Sequence, residues 1–173
     1  LNQTQPPNRI IIVDDGSDVK TKEFYHRHLS GLKKVQIYEL PRNGNPGRMR
    51  AFGLEKATSN YVAFLDSDDY WFAEKMEVQI SHFAQNTNES LIAVSSNALC
   101  KIIRNPNSTD KLITSLESKS LNYALLLKNN VIVNSSVVIH RTLLKSHLRY
   151  PEHRWLLGFE DYCFWLKLSL CYE

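Results

Sequence analysis

The sequence of 173 residues has few cysteines, little net charge and no long apolar run. Its three cysteines, Cys100, Cys163 and Cys171, are an odd number without metal-ligand spacing, which argues against a disulfide framework and against a zinc site. With 21 basic and 18 acidic residues, the formal charge of +3 does not indicate nucleic-acid binding. No stretch reaches the roughly 18 apolar residues expected of a transmembrane helix. These absences favour a globular domain with an ordinary core.

An apolar run that ends in carboxylates is the central feature of the chain. Residues 61–65 are apolar and lead directly into Asp66, Asp68 and Asp69, which we call the second acidic group. Such a run suits a buried strand of a sheet covered on both faces, where ligands bind at the carboxyl ends of strands. In an extended backbone Asp66 and Asp68 would project together, about 6–7 Å apart, and could hold Mg²⁺. The alternative is an acidic turn in which Asp69 caps the next helix.

Two more pairs of acidic residues lie at the predicted ends of secondary-structure elements. The first acidic pair, Asp14 and Asp15, ends a β-branched run over residues 9–13, and the third acidic pair, Glu160 and Asp161, opens an apolar helix. Carboxylates gathered at one edge of a sheet repel one another unless a cation is shared. Three acidic groups on one chain therefore indicate a metal–nucleotide site, although each alone could be a turn or a helix cap.

The hydrophobic periodicity predicts a single α/β domain. The alternation of strands and helices through residue 84 predicts a Rossmann-like, mostly parallel central sheet flanked by helices. A stripe of Phe72, Met76, Ile80 and Phe83 predicts a core-facing helix after the second acidic group. The predicted strands are 9–13, 35–40, 61–65, 91–96, 99–104 and 137–140, and the other predicted helices are 19–30, 48–57, 121–128, 142–147 and 160–171.

Several motifs, in this order and spacing, resemble family 2 glycosyltransferases with the GT-A fold. They are Ile11-Ile12-Val13-Asp14-Asp15-Gly16-Ser17, Asn43-Gly44 followed by Arg50, Phe64-Leu65-Asp66-Ser67-Asp68-Asp69, Ser136-Val137-Val138-Ile139-His140-Arg141, and Glu160-Asp161. The opening Leu1-Asn2-Gln3-Thr4 also resembles the family's stretch before the first acidic motif. The resemblance covers almost the whole chain.

The resemblance implies a nucleotide-sugar site. Asp14 and Asp15 would belong to the nucleotide pocket, with Asp15 bonded to the base, and Arg50 would help to hold the donor. Asp66 and Asp68 would form the DxD pair that meets the ribose and the diphosphate-bound Mg²⁺ or Mn²⁺.

The same resemblance implies the chemistry. Asp69 is an alternative metal ligand. Asp161 matches the catalytic base, and Glu160 competes for that role. An inverting transfer needs a carboxylate to take the acceptor's proton, and a cation on the diphosphate offsets the charge of the leaving group.

The expected function is therefore inverting transfer of a sugar from a nucleotide-diphosphate sugar, with UDP as the expected nucleotide, to a saccharide or lipid-linked acceptor in cell-surface polysaccharide synthesis. Nucleic acid is not an expected partner. The resemblance implies a cytoplasmic protein with peripheral association at the inner face of the membrane. The absence of a signal sequence and of paired cysteines points to the same compartment.

Two departures from the family pattern leave alternatives open. The family's Ala-Arg-Asn triplet appears as Met49-Arg50-Ala51, and the strand and helix expected before the first acidic pair are nearly all missing. We therefore expect residues 1–173 to form one partial catalytic domain that lacks the first strand and the C-terminal end. A non-catalytic nucleotide-sugar binding module is one alternative. A Mg²⁺-dependent nucleotidyltransferase is another, although the chain has no Gly-Lys-Ser/Thr phosphate loop.

Overall fold

In the computed structural model, which describes residues 2–86, 91–100, 111–112, 121–144 and 147–172, strands alternate with helices along the first half of the chain. The strands are β1 (Ile10–Asp15), β2 (Val35–Leu40), β3 (Tyr61–Ala63), β4 (Ala93–Val94), β5 (Leu99–Cys100), β6 (Lys111–Leu112) and β7 (Val138–His140). The helices are α1 (Val19–Leu29), α2 (Pro46–Lys56), α3 (Lys75–Gln85), α4 (Tyr123–Leu126) and α5 (Glu160–Cys171). Short 3₁₀ turns span Asn134–Ser136, Arg141–Leu143 and Arg154–Leu156.

Side-chain caps determine where two of the helices begin. The Asp18 carboxylate accepts a hydrogen bond of 2.8 Å from the Thr21 N–H at the start of α1. Asn45 caps α2 through the Arg48 N–H, and Pro46 occupies the first turn, where its missing N–H costs nothing. The predicted start of α1 is confirmed, whereas α2 begins two residues earlier than predicted because Asn45, Pro46 and Gly47 belong to its first turn.

The α/β class is confirmed, but the strand pairing is mixed rather than mostly parallel. Strands β1 and β2 pair in parallel because α1 carries the chain back between them. Strands β3 and β4 both pair with β7 in the antiparallel sense, and β5 pairs with β6 in the same sense. The turn at Asn134–Ser136 lies at the acidic end of β3, so β7 starts there and runs back along β3.

Strand β7 lies between two hydrophobic clusters. Val138 is fully buried against Met76 and Phe83 of α3. Ile139, the next residue, belongs to the larger cluster around Phe64 and Trp165 on the opposite face. This alternation is expected for a strand covered on both sides.

Strand β4 and helix α4 are shorter than the predicted segments 91–96 and 121–128, and three further predictions differ from the structure. Strand β3 ends at Ala63, and Leu65 is 48% exposed, because the chain turns at Asp66 with a hydrogen bond from the Asp69 N–H to the Asp66 carbonyl. Phe72 is 63% exposed and precedes α3, so it does not belong to the buried stripe that includes Met76 and Phe83.

The third is the predicted helix over residues 142–147, where a 3₁₀ turn covers Arg141–Leu143 and residues 145–146 lie outside the described chain. Residues 101–104 of a predicted strand also lie outside it. Across the part of the chain that is described, none of the helices has both the length and the apolar composition needed to cross a membrane.

Candidate active site

Arg50 joins the second acidic group to the third acidic pair. Its Nη2 donates to both carboxylate oxygens of Asp66 at 2.9 Å, and its Nη1 donates to Glu160 Oε1 at 2.9 Å. The Arg50 side chain is 15% exposed and that of Glu160 only 7%. Burial alone would lower the pKa of Arg50, but the hydrogen bonds and charge of Asp66 outweigh it and raise that pKa. The guanidinium is therefore a fixed positive charge between two carboxylates.

Asp66 has further partners from the segment before β7. Asn134 Nδ2 donates to Asp66 Oδ1 at 3.2 Å, and the Tyr150 hydroxyl donates to Asn134 Oδ1 at 2.9 Å. The Asp66 N–H donates to Ser135 Oγ at 2.9 Å. Tyr150 is 1% exposed and stacks on Phe164 with ring centroids 4.1 Å apart, so the core determines where this network sits. The Asp66 carboxylate is thus held directly by Arg50 and Asn134, and Tyr150 holds Asn134 in place.

The two carboxylates of the third acidic pair differ in how many of their oxygens accept hydrogen bonds. Both oxygens of Glu160 are used, since Oε2 accepts from the Gly158 N–H at 2.7 Å while Oε1 accepts from Arg50. Asp161 is half-buried, and its Oδ1 accepts from the Tyr162 N–H. Burial raises the pKa of Asp161, against the opposing effects of that hydrogen bond and of the Arg50 charge. Asp161 is the more available proton acceptor of the two.

The first acidic pair is held by backbone amides. Asp14 is buried and accepts from the Ser17 N–H with both oxygens, which is the local turn that the sequence allowed as an alternative. Asp15 accepts from the N–H groups of Asn43 and Gly44 at 2.7 and 2.6 Å. Asp15 therefore fixes the loop that leads into α2, the helix that carries Arg50.

Asp68 and Asp69 lie apart from the Arg50 network. Both are exposed in the turn after Asp66, and no protein partner of either side chain is seen in the described part of the chain. Because extended backbone ends before Asp66, the expectation that Asp66 and Asp68 project together as neighbours on a strand is wrong. Across the described ranges, no three His, Cys, Asp or Glu side chains converge into a metal-binding group.

Sequence reasoning identified Arg50, Asp66 and Glu160 but missed Asn134, Ser135 and Tyr150. The missed residues lie 68 to 84 positions from Asp66 and carry no local pattern of their own. A buried Tyr needs a hydrogen-bond partner, and only the tertiary structure shows that this partner is Asn134.

Comparisons with known proteins agree with the motif reading. The family model described as Glycosyl transferase family 2 matches residues 1–148. An uncharacterized glycosyltransferase of Haemophilus influenzae is 35% identical over 167 residues, covering 96% of this chain and 62% of that protein. The Escherichia coli protein WfaP, named as a UDP-Glc:alpha-D-GlcNAc-diphosphoundecaprenol beta-1,3-glucosyltransferase, is 32% identical over 97% of this chain and 61% of its own length.

The fold likewise matches a solved structure. TarS from S. aureus, crystallised in complex with UDP, superposes with a TM-score of 0.67 at 23% identity, covering 98% of this chain and 48% of the TarS chain. The GT-A expectation is thereby confirmed at the level of the fold. This chain spans less than two thirds of the length of the two curated relatives. The ordered motifs and the family match over residues 1–148 together show that the chain belongs to glycosyl transferase family 2.

Proposed function

We propose that this chain carries the catalytic machinery of an inverting glycosyltransferase that moves a sugar from a UDP-sugar to a saccharide or lipid-linked acceptor. The observation that carries the proposal is the Arg50 guanidinium, which contacts Asp66 on one side and Glu160 on the other. The same cation thereby links the acids assigned to the donor with the helix start that bears Asp161. Donor and base must be held at a fixed separation for direct displacement at one carbon.

The names of the relatives support the choice of substrates. WfaP uses UDP-glucose and a diphosphoundecaprenol-linked sugar according to its name, and UDP occupies one TarS structure. A lipid-linked acceptor would place the reaction at a membrane surface, so peripheral membrane association is part of the proposal. A role in cell-surface polysaccharide synthesis follows from the same names.

Donor binding is assigned to the first acidic pair and to the second acidic group. Asp15 and Asp14 would line the nucleotide end, and Asp66, held by Arg50, would face the ribose. Mg²⁺ or Mn²⁺ fits the exposed carboxylate of Asp68, with Asp69 beside it, since Mg²⁺ usually takes one or two carboxylates with water and phosphate oxygens. When bound, the cation would neutralise charge on the diphosphate. Asp66 is the poorer metal ligand because Arg50 and Asn134 already occupy its oxygens.

Asp161 would act as the general base. Its carboxylate takes the proton from the acceptor hydroxyl, the hydroxyl oxygen bonds to the anomeric carbon, and the bond from that carbon to the UDP oxygen breaks. A pKa raised by burial brings this carboxylate closer to the working pH, where a base is most effective. Glu160 would hold Arg50 rather than move a proton.

The proposal is tested by Asp161→Asn in a transfer assay with UDP-sugars. The amide cannot accept the proton, so we expect transfer to fall by about 10²–10⁴-fold while UDP affinity stays near the parent value. Asp18→Asn makes the same chemical change at the start of α1, where Asn also caps well, and should leave transfer unchanged. Transfer by Asp161→Asn at the parent rate would remove the base assignment. A parent protein that binds UDP but never transfers sugar would favour the non-catalytic module.

A further inference from the structure

We propose that Asn45 and Gly47 are positioning residues that set the distance between Arg50 on α2 and the third acidic pair on α5. The inference rests on the proposed function, because it assigns the two residues a role in aligning the base with the donor. Both residues belong to residues 43–47, which run from the loop before α2 into its first turn and which we call the 43–47 loop. This loop contacts the segment over residues 151–160 at several points.

Gly47 lies against Pro151 and Glu160 with no room for a side chain. A Cβ atom built on it would overlap the carbonyl oxygen of Pro151 and would lie 3.0 Å from Glu160 Cβ. The obstacle is backbone as well as side chain, so any larger residue must push α2 away from the Pro151 backbone and from Glu160 at the start of α5. Gly47 and Arg50 are three residues apart on one helix, and thus on the same face. The absence of a side chain at Gly47 is what lets Arg50 reach Glu160.

Asn45 also joins α2 to the segment that leads into α5. It is 2% exposed, its Oδ1 accepts from the Arg48 N–H, and its Nδ2 donates to the Glu152 carbonyl at 2.7 Å. One side chain therefore caps α2 and holds the segment that leads into α5. Arg154 adds a longer contact of 3.5 Å to the Asn43 carbonyl.

The 43–47 loop also contacts the first acidic pair. Asp15 accepts from the Asn43 and Gly44 N–H groups at the beginning of the loop. The loop thus bonds to Asp15 at one end and abuts Glu160 at the other. It is the described segment that joins the proposed nucleotide end of the donor site to the proposed base.

The first test is Gly47→Ala in the whole enzyme. Because a shift of about 1 Å at the reacting groups can cost about 10²-fold in rate, we expect kcat to fall at least about tenfold. The dissociation constant for UDP should stay within about twofold, since Asp15 bonds to the Asn43 and Gly44 N–H groups, at least three residues before the substitution, and Asp68 and Asp69 lie apart from the Arg50 network. Gly53→Ala is the matched control in the same helix, because its Cβ would meet only Val13 Cγ2 at 3.5 Å. That variant should retain the parent kcat.

The second test is Asn45→Asp, which covers the case that Gly47→Ala fails to fold. Asp keeps the cap of α2 but cannot donate to the Glu152 carbonyl. We expect the same loss of kcat with retained UDP affinity. Asn122→Asp makes this change at the cap of α4, where the side chain accepts from the Leu125 N–H, and it should have no effect.

Hydrogen exchange gives a readout that does not need activity. In Gly47→Ala and Asn45→Asp the amides of residues 158–162 should exchange at least about tenfold faster than in the parent and in the two controls. Unchanged exchange there, or an active parent whose two variants keep the parent kcat, would overturn the inference. A kcat loss matched by an equal loss of UDP affinity would also overturn it. Failure of the proposed function would appear separately, as a parent that transfers no sugar.

Discussion

Two partly buried cations, Arg50 and Lys75, lie in opposite electrostatic settings. Arg50 is paired with Asp66 and Glu160, and its pKa is raised. Lys75 has its Nζ buried without a hydrogen-bond partner in the described structure, 4.0 Å from the centre of the Trp71 ring. Burial lowers the pKa of Lys75 to about 7. The Trp71 ring face is a partner of the cation, although it does not replace a carboxylate.

The difference shows how partners shift the pKa of a buried group. The Arg50 guanidinium is charged at every working pH, and its two carboxylates raise its pKa further, which suits a residue that must hold acids in place. Lys75 lacks such a carboxylate and titrates near neutrality. The two settings are connected, since the Trp71 indole N–H donates to the Ser135 carbonyl and Ser135 Oγ accepts from the Asp66 N–H.

Replacement of Arg50 should have the largest effect on the stability of the fold. In Arg50→Met the carboxylates of Asp66 and Glu160 lose their shared cation, and Glu160 is almost fully buried. We expect the free energy of unfolding to fall by about 3 kcal/mol, as for other buried pairs that lose one partner. Urea unfolding followed by circular dichroism measures the loss.

Arg149→Met is the matched control for that variant. Arg149 pairs with Glu55, and both side chains are more than half exposed. An exposed pair is worth about 0–1 kcal/mol, so this variant should stay close to the parent. Equal losses in the two variants would show that Arg50 is not the structural centre of the site.

Replacement of Lys75 should change the pH dependence of stability. Because its pKa is about 7 in the folded protein and 10.5 as the ordinary value, the unfolded chain binds more protons between these two values. The free energy of unfolding therefore rises with pH across this window, by at most about 1.4 kcal/mol per pH unit. Lys75→Met should remove that rise and be more stable than the parent at neutral pH.

Lys22→Met separates this effect from a general loss of positive charge. Lys22 is bonded to Glu39, and that hydrogen bond raises its pKa, so it stays charged across the same window. Unfolding at about pH 7 and about pH 9 should give the parent slope for Lys22→Met and a flatter one for Lys75→Met. A parent slope retained in Lys75→Met would show that the charge at Lys75 is fully stabilised by its surroundings.

Local signals predicted the parts of the fold that depend on neighbouring residues. Helices α1 and α5 begin at Val19 and Glu160, where the sequence placed their starts. The β-branched run before Asp14 forms β1 and pairs with β2. Each of these features follows from residues within a few positions, where capping and periodicity act.

Long-range contacts explain what the sequence did not predict. The turn after Asp66 depends on Ser135, which holds the Asp66 N–H from 69 residues away. Asn134 is also distant in the sequence, and its amide donates to Asp66 and accepts from the Tyr150 hydroxyl. The antiparallel pairing of β7 with β3 was not predicted because the two strands are far apart in the sequence. Even their nearest paired residues, Ala63 and Val138, are 75 positions apart. Such pairings depend on tertiary packing, which no local pattern reports.

Calorimetric titration of UDP, with and without Mn²⁺, into the parent and Asp68→Asn tests most directly whether the second acidic group binds the donor. The account predicts that parent binding requires Mn²⁺ and that Asp68→Asn weakens it at least about tenfold, or about 1.4 kcal/mol. The reason is that an amide cannot neutralise the cation as a carboxylate does. Equal affinity in parent and variant, or binding that is indifferent to Mn²⁺, would contradict it.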